Sequence, residues 1–464
     1  MNHVLRFATV VAVTAYSGIA MAQDHAAHSS QTAAGNIKAR LATSKSAFRF
    51  VPQAVRYPHS YTAGPPRVGD GSDAQGGIAP VLIDKEPEVI KSNIPIASWL
   101  LPLDRRPGPA NGEAKFRTHC NYSHHAYDDP IVFPGIAGGA HLHTFFGNTK
   151  TNASSTYASL RTSGRSTCGG GPINRSAYWY PAVLKDNAIG DGKTMVVKPD
   201  FATLYYNVDE KHTARVTRTP RGLSYVFGLN PSDPYDNMQR NEVAASGGAN
   251  AYLNNGFLGW RCESRNGAMA GAPSPANPLQ PYLRNADGSG TLFCPKSERL
   301  GAVLSGPGCW DGVNLTSPNG RGHVRQYVMN VTTGRQDLCP IGWYHIARFQ
   351  MTIWFSHRGY NDYTTWYLSS DRMRGMTQFL NGQSMHADWF GAWDYSIMKT
   401  WMIHCNGTKI PGEAKPDPRS CNDTQFGDRR KGITSGAAPD GSRLPQITTV
   451  PMTDLGKDRF DPLP

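Results

Sequence analysis

Arg348-Phe-Gln-Met-Thr-Ile-Trp-Phe-Ser356 is the stretch that decides the fold. Side chains alternate across a β-strand, so Phe349, Met351, Ile353 and Phe355 share one face while Gln350, Thr352 and Trp354 share the other. One of those faces belongs to a core. The same mixture of aromatic and β-branched residues with polar alternation recurs in Ser176–Leu184, Thr194–Tyr206 and His323–Asn330, which read as further strands. Helix is expected over two short stretches only. Ser154–Thr162 opens with N-capping residues, and Ser396–His404 spaces Ile397 from Trp401 and Met398 from Met402 by four. With 48 Gly and 34 Pro in 464 residues, helices would be interrupted often. The expected fold is therefore mainly β: a β-sandwich or jelly roll with long loops and few short helices.

Outward from that core the chain divides by composition. Residues 1–22 carry Arg6, an apolar stretch and Ala20-Met21-Ala22, the pattern of a signal peptide. Residues 23–90, rich in Ala, Ser, Gly and Pro, read as a flexible arm, and the apolar run Ile94–Pro102 could dock on the body. A single large domain is expected over 91–407, followed by a polar extension over 408–464. No later run is long and apolar enough for a transmembrane segment. The reading is thus of an exported chain, periplasmic or extracellular, with its oligomeric state left open. All eight cysteines follow residue 119 and none forms a CxxC pair, so four disulfides are expected in that oxidising setting. Cys120–Cys168 and Cys405–Cys421 are the pairs that lie nearest in sequence context.

The formal net charge of +12 admits an anionic partner. Its Lys and Arg are dispersed, however, and no nucleic-acid module pattern is present, so nucleic acid is excluded as the expected partner. Gly164–Gly171 lacks the order of a phosphate loop, and no GxSxG elbow occurs. Cleavage after Ala22 would expose Gln23 rather than a histidine, which removes a copper site built on an N-terminal His.

The chemistry-bearing residues are histidines and carboxylates. In His141-Leu142-His143 an extended backbone points both imidazoles to one side, and His386-Ala387-Asp388 repeats that spacing. His141, His143 and His386 are therefore the candidate ligands of a divalent metal cofactor (zinc, copper or calcium), with three protein ligands and an open position. His124, Asp128, Asp129 and Asp388 are candidate general acids and bases, Asp388 also as an orienting partner for an imidazole. Asp129-Pro130 reads equally as a turn. Asn148, Tyr178, Trp179 and Trp389 are candidate substrate-binding residues, the rings by stacking on sugars, although core packing is the commoner fate of such aromatics.

Several blocks taken together resemble one family: Phe116–Cys120, Ala126–Gly135, Ala140-His-Leu-His-Thr-Phe-Phe-Gly-Asn148, Asn174–Pro181 and Met385–Asp394. It is a domain-of-unknown-function family of secreted fungal and bacterial proteins, and the resemblance covers about residues 115–407. Its fungal members are often joined to carbohydrate-binding modules, which implies a polysaccharide or cell-wall glycan setting. His323 lies beyond an insertion, Leu315–Gly320, that departs from the family pattern. The resulting expectation is an exported polysaccharide-processing enzyme, of hydrolase or lyase type, with a histidine-centred site. The alternatives are a non-catalytic glycan- or cell-surface-binding protein and an exported metal-binding protein.

Overall fold

The computed structural model describes residues 86–91, 113–185, 193–209, 216–229, 258–264, 298–318, 320–330, 335–340, 342–356, 365–373, 379–410, 412–413, 420–422 and 447–451, with Leu279, Leu283 and Cys294. The signal peptide, most of the arm, the run Ile94–Pro102 and most of the C-terminal extension lie outside the described residues. The chain is mainly β, as its alternation predicts. Nine strands form the spine of a ten-stranded sheet: β1 (Glu113–Ala126), β2 (His143–Gly147), β3 (Ala177–Pro181), β4 (Phe201–Asp209), β5 (Ser224–Gly228), β6 (Leu258–Ser264), β7 (Glu298–Ser305), β8 (Arg348–Ser356) and β9 (His386–Phe390). Their order is β5-β9-β3-β2-β1-β4-β8-β7-β6, all pairings antiparallel, and Ser420–Asn422 adds to β1 in parallel.

The long strand β1 is the corner. Glu113–Asn121 pairs with β4, whereas Tyr122–Ala126 pairs with β2, and the register breaks between Tyr122 and His124. Such an irregularity bends a strand and lets it pass from one sheet to another. The two halves consequently face each other across an aromatic core. Phe349 of β8 stacks on Trp389 of β9 at 5.6 Å and on Tyr178 of β3 at 5.6 Å, and it meets Phe227 of β5 edge-on at 5.5 Å. Burial of each such side chain contributes roughly 1.5–3 kcal/mol.

Two predicted strands are each split by the fold. Ser176–Leu184 becomes β3 and a separate strand Val183–Lys185, and Thr194–Tyr206 becomes Lys193–Val197 and β4, interrupted at Lys198-Pro199-Asp200. Proline has no N–H for the ladder, so the chain leaves one sheet and enters another there. Val183–Lys185 and Lys193–Val197 belong to a smaller four-stranded sheet. His323–Asn330 likewise divides into two short pieces.

The two helices lie where capping chemistry placed them. In α1 (Tyr157–Thr162), Thr156 and Ser159 exchange side-chain-to-backbone bonds as a capping box. In α2 (Tyr395–His404), the Asp394 carboxylate accepts from the Ser396 N–H and hydroxyl. Asp394 also joins the helices: its Oδ2 meets Arg161 Nη2 at 3.2 Å in a pair whose guanidinium side is fully buried. Arg161 further donates to the carbonyls of Ala392, Pro172 and Ile90. Residues 86–90, assigned to the arm from composition, are thus docked: Glu86 pairs with Arg218 and Arg221, and Ile90 packs against the cluster that contains Phe145 and Trp179.

Disulfides link Cys120 to Cys168, Cys262 to Cys294 and Cys309 to Cys339. Cys405 is also disulfide-bonded, while the side chain of its expected partner Cys421 lies outside the described residues. No helix among the described residues is long and apolar enough to cross a membrane.

Asp394→Ala should lower stability by about 3–5 kcal/mol in urea denaturation, because it leaves a buried guanidinium without its counter-charge. Glu413→Ala, which breaks the exposed Lys399–Glu413 pair, should cost less than about 1 kcal/mol. Equal effects would show that Asp394 does not hold the helices.

Candidate metal centre

The half-sheet β5-β9-β3-β2 has two dissimilar faces. Tyr225, Phe227, Ala387, Trp389, Tyr178, Tyr180 and Phe146 enter the main core. Alternation therefore turns His386, Asp388, Trp179, His143 and Phe145 to the opposite face. That face is covered by the 127–142 loop and α1, through Ile131, Tyr157 and Leu160, which pack against Phe145, Trp179 and Val226. The functional residues are thus roofed rather than displayed.

His141, at the end of the loop, joins His143 and His386 beneath this cover. One ring nitrogen from each lies within 4.8 Å of the others, and His141 is the only partly exposed member. Ring centroids stand 4.2 Å apart for His141 and His143, and 5.1 Å for His141 and His386. Two of the rings are fixed by backbone carbonyls: His143 Nδ1 donates to Asp128 at 3.0 Å and His386 Nδ1 to Ser384 at 2.9 Å. A carbonyl can only accept, so both imidazoles carry the proton on Nδ1 and present the Nε2 lone pair. Nε2 of His143 and Nε2 of His141 are buried without a hydrogen-bond partner.

The carbonyls are themselves anchored. Asp128 Oδ1 accepts from Gly138 N at 2.9 Å, which ties down the residue whose carbonyl holds His143. Asp371, fully buried, accepts from Leu368 N, Gly382 N, Ser384 N and the Ser384 hydroxyl, so it fixes the residue that holds His386. At Gly228, φ is +96° and a Cβ would lie 2.6 Å from His386 Cα. Only glycine permits that approach of β5 to β9.

Two carboxyls border the imidazoles. Asp129, His143 and Asp388 form a second group with one donor atom each within 4.8 Å, all three buried. Asp129 Oδ1 accepts from Ile131 N at 2.8 Å and Val132 N at 2.9 Å, so the turn reading of Asp129-Pro130 and the site reading both apply. Neither oxygen of Asp388 has a partner. Arg321, whose Nη1 and Nη2 donate to the carbonyls of Gly228 and Leu229, brings a positive charge to bear on both carboxyls and on His386.

Burial dominates the titration of every member. It pushes His143 down to about 4 and His386 down to about 3, the latter helped by His143 and Arg321. His141 is held well below the ordinary imidazole range by burial and by the two neighbouring rings. Burial raises Asp129 to about 6, and together with the charge of Asp129 it raises Asp388 well above the usual carboxylate range. Neutral imidazoles are the form that binds a cation.

Other candidates are placed elsewhere. His124 lies outside the centre, with Nδ1 bonded to the Ser123 hydroxyl, Nε2 to the Thr151 carbonyl and its ring stacked on Phe145, so it braces a loop and has no free nitrogen for acid–base work. Asp128 acts through its carbonyl and anchors the loop with its carboxylate. Asn148 donates to the carbonyls of Leu160 and Ser163 and accepts from Lys150 N, which commits it to holding the end of α1 rather than a substrate. Tyr178, Trp179 and Trp389 are buried, and their rings present no face to a sugar. Asp388 makes no hydrogen bond to an imidazole; backbone carbonyls orient the rings in its place. His323 is buried and bonded to Ser317 and Ser224 O. Sequence reading missed Asp371 and Arg321, neither of which sits in a spaced motif.

A mainly β protein with a roofed histidine–carboxylate centre is the class defined by these features. The chain belongs to the family described as Domain of unknown function (DUF1996), which matches residues 129–393, a span that contains every member of the centre. No curated protein and no solved structure matches the chain.

The pH dependence of stability follows from the shifted imidazoles. A group with a depressed folded-state pKa contributes stability that is complete above its unfolded value and lost as pH falls toward the folded one. For His143 that window runs from the ordinary 6.5 down to about 4. The raised carboxyls act oppositely, with stability lost as pH rises from 3.8 through about 6 for Asp129. In metal-free protein, the stability advantage of wild type over His143→Gln should shrink between pH 7 and 4.5 by on the order of 2 kcal/mol. Denaturation at the two pH values measures it, and a pH-independent difference would contradict the assignment.

Proposed function

We propose that this protein is an exported, divalent-metal-dependent enzyme that processes a polysaccharide by hydrolysis or elimination, with His141, His143 and His386 as metal ligands. The observation that carries the reading is the convergence of three ring nitrogens within 4.8 Å, with Nδ1 of His143 and of His386 already bonded to a backbone carbonyl. That outer arrangement orients metal-binding imidazoles in general. The donors fit a cation, because buried Nε2 lone pairs without partners are costly unless something accepts them. An ion bound there supplies Lewis acidity and a water ionised near neutral pH.

The chain's own residues provide the rest. His141, on the partly exposed side, marks the direction from which substrate arrives. Asp129 and Asp388 stand on the buried side, where a raised carboxyl can exchange a proton with a reacting group. Arg321 supplies positive potential suited to an acidic sugar, in keeping with the overall charge of +12. Export rests on the leader-like start and is supported by the disulfides. The polysaccharide assignment rests on the family resemblance and the charge.

The deep burial of His143 and Asp388 favours a second reading, a closed metal-binding centre without turnover. Sugar stacking by Tyr178, Trp179 or Trp389 has no part in either.

Elemental analysis of the purified protein should find a stoichiometric divalent metal that is absent from His141→Ala/His143→Ala. Metal at 100 times its Kd should raise the unfolding free energy of wild type by about 2.7 kcal/mol and leave the double variant unchanged. Acidic and neutral glycans should release products with wild type and not with a folded His143→Ala variant. Metal without products from any glycan would select the second reading, and metal in neither protein would overturn both.

A further inference from the structure

Asp388 is the least explained group in the molecule. It is wholly buried in the middle of β9, opposite Trp179 of β3 and Val226 of β5, and neither of its carboxyl oxygens has a hydrogen-bond partner. Arg321 does not supply one: its Nη1 and Nη2 donate to the carbonyls of Gly228 and Leu229, and its charge reaches Asp388 without a hydrogen bond. A second carboxyl faces Asp388. Asp129 is also buried, and its Oδ1 accepts from Ile131 N and Val132 N, which pins the group at the start of the loop that roofs the sheet. One oxygen of each carboxyl and one ring nitrogen of His143 lie within 4.8 Å of one another. Two carboxylates so close repel, and burial removes the water that would screen them. A cation among them relieves the repulsion and gives Asp388 the partner it lacks.

We propose that Asp129, Asp388 and His143 form a second cation seat, separate from the three imidazoles and suited to an oxygen-preferring divalent ion of the manganese(II) or magnesium(II) kind. The donor chemistry sets the two seats apart. Carboxylates and water suit Mg²⁺ and Mn²⁺, whereas imidazoles suit Zn²⁺ and Cu²⁺. Three protein donors leave the remaining positions of an octahedral ion to water or to substrate oxygens. His143 is the residue common to both groups. Its Nδ1 is committed to the Asp128 carbonyl, so it has a single lone pair and serves one ion at a time. The two seats therefore compete for His143, and the metal offered decides which of them is filled. His141 and His386 have no part in the carboxyl seat, which can hold an ion whether or not the imidazoles do.

The test titrates metal-free full-length protein with Mn²⁺, followed by electron paramagnetic resonance, and separately with Zn²⁺, followed by calorimetry. His141→Ala/His386→Ala removes two imidazoles and keeps the carboxyl seat. It should still bind a stoichiometric Mn²⁺, while its Zn²⁺ binding weakens by at least about tenfold, the least that loss of a residue merely orienting a ligand costs. Asp388→Asn and Asp129→Asn keep shape and remove a charged donor, so each should weaken Mn²⁺ binding by at least about tenfold and Zn²⁺ binding by less. Three results would each overturn the second seat: loss of Mn²⁺ binding in folded His141→Ala/His386→Ala, wild-type Mn²⁺ affinity in folded Asp388→Asn, or no Mn²⁺ uptake by wild type, as a proton held between the carboxyls would give. Zn²⁺ binding by wild type in any of those cases leaves the histidine site standing. Should the variants not fold, anomalous data at the manganese edge from wild-type crystals soaked in Mn²⁺ replace them. A peak against the Asp388 and Asp129 oxygens supports the seat, and a peak among the three imidazoles, or none in the centre, overturns it.

Discussion

The alternation of side chains along β9 and β2 is the constraint on which the centre depends. Ala387 and Trp389 must face the aromatic core, so His386 and Asp388 must face away from it; Thr144 and Phe146 likewise force His143 and Phe145 to that same outer face. A shift of one residue in either register would carry imidazole and carboxyl into the stack formed by Phe349, Tyr178 and Trp389. The core thus enforces the geometry of the site from beneath, at no cost in separate interactions. The bend in β1 has the complementary part, since it folds the two half-sheets together and creates the core that makes the registers unique.

Roofing such a face has consequences. Imidazoles and carboxyls taken out of water resist charging, which is why the rings titrate low and the carboxyls high. The protein holds this arrangement with backbone carbonyls and with carboxylates that are themselves hydrogen-bonded, Asp371 fully buried and Asp128 half-buried. Asp371 grips the loop that ends in Ser384, and Asp128 grips the loop that ends in His141. Arg161 and Asp394 tie α1, which covers that face, to α2, which packs in the main core. Every one of these has its partners, in contrast to Asp388, whose oxygens have none. Nε2 of His141 and of His143 are likewise buried without a partner, and these are groups that a cation would complete.

Much of the centre was readable from period alone. His386-Ala-Asp388 has the spacing that sets two polar side chains on one strand face and lies on β9 as that spacing requires, whereas His141 meets His143 from the loop before β2 rather than from the strand itself. Strand β8 was legible for the same reason, its four apolar residues being unambiguous. What period cannot show is which face a neighbouring loop covers. Tyr178, Trp179 and Trp389 looked available for sugar because sequence gives no sign of burial on both sides of a sheet, and the polar Asn148 and His124 looked functional because loop bracing uses the same atoms as binding. Lys198-Pro199-Asp200 divided a run that composition joined, and Arg321 reached the site through an insertion with no motif. Long-range placement, rather than residue chemistry, accounts for each of these differences.

The most direct measurement of the central claim is a crystal structure of the protein soaked with Zn²⁺, with anomalous data collected at the zinc edge. One anomalous peak is expected about 2.0–2.1 Å from Nε2 of His143, with His141 and His386 completing the nitrogen ligands. Ordered imidazoles with no peak between them, or zinc bound only at surface histidines, would contradict it.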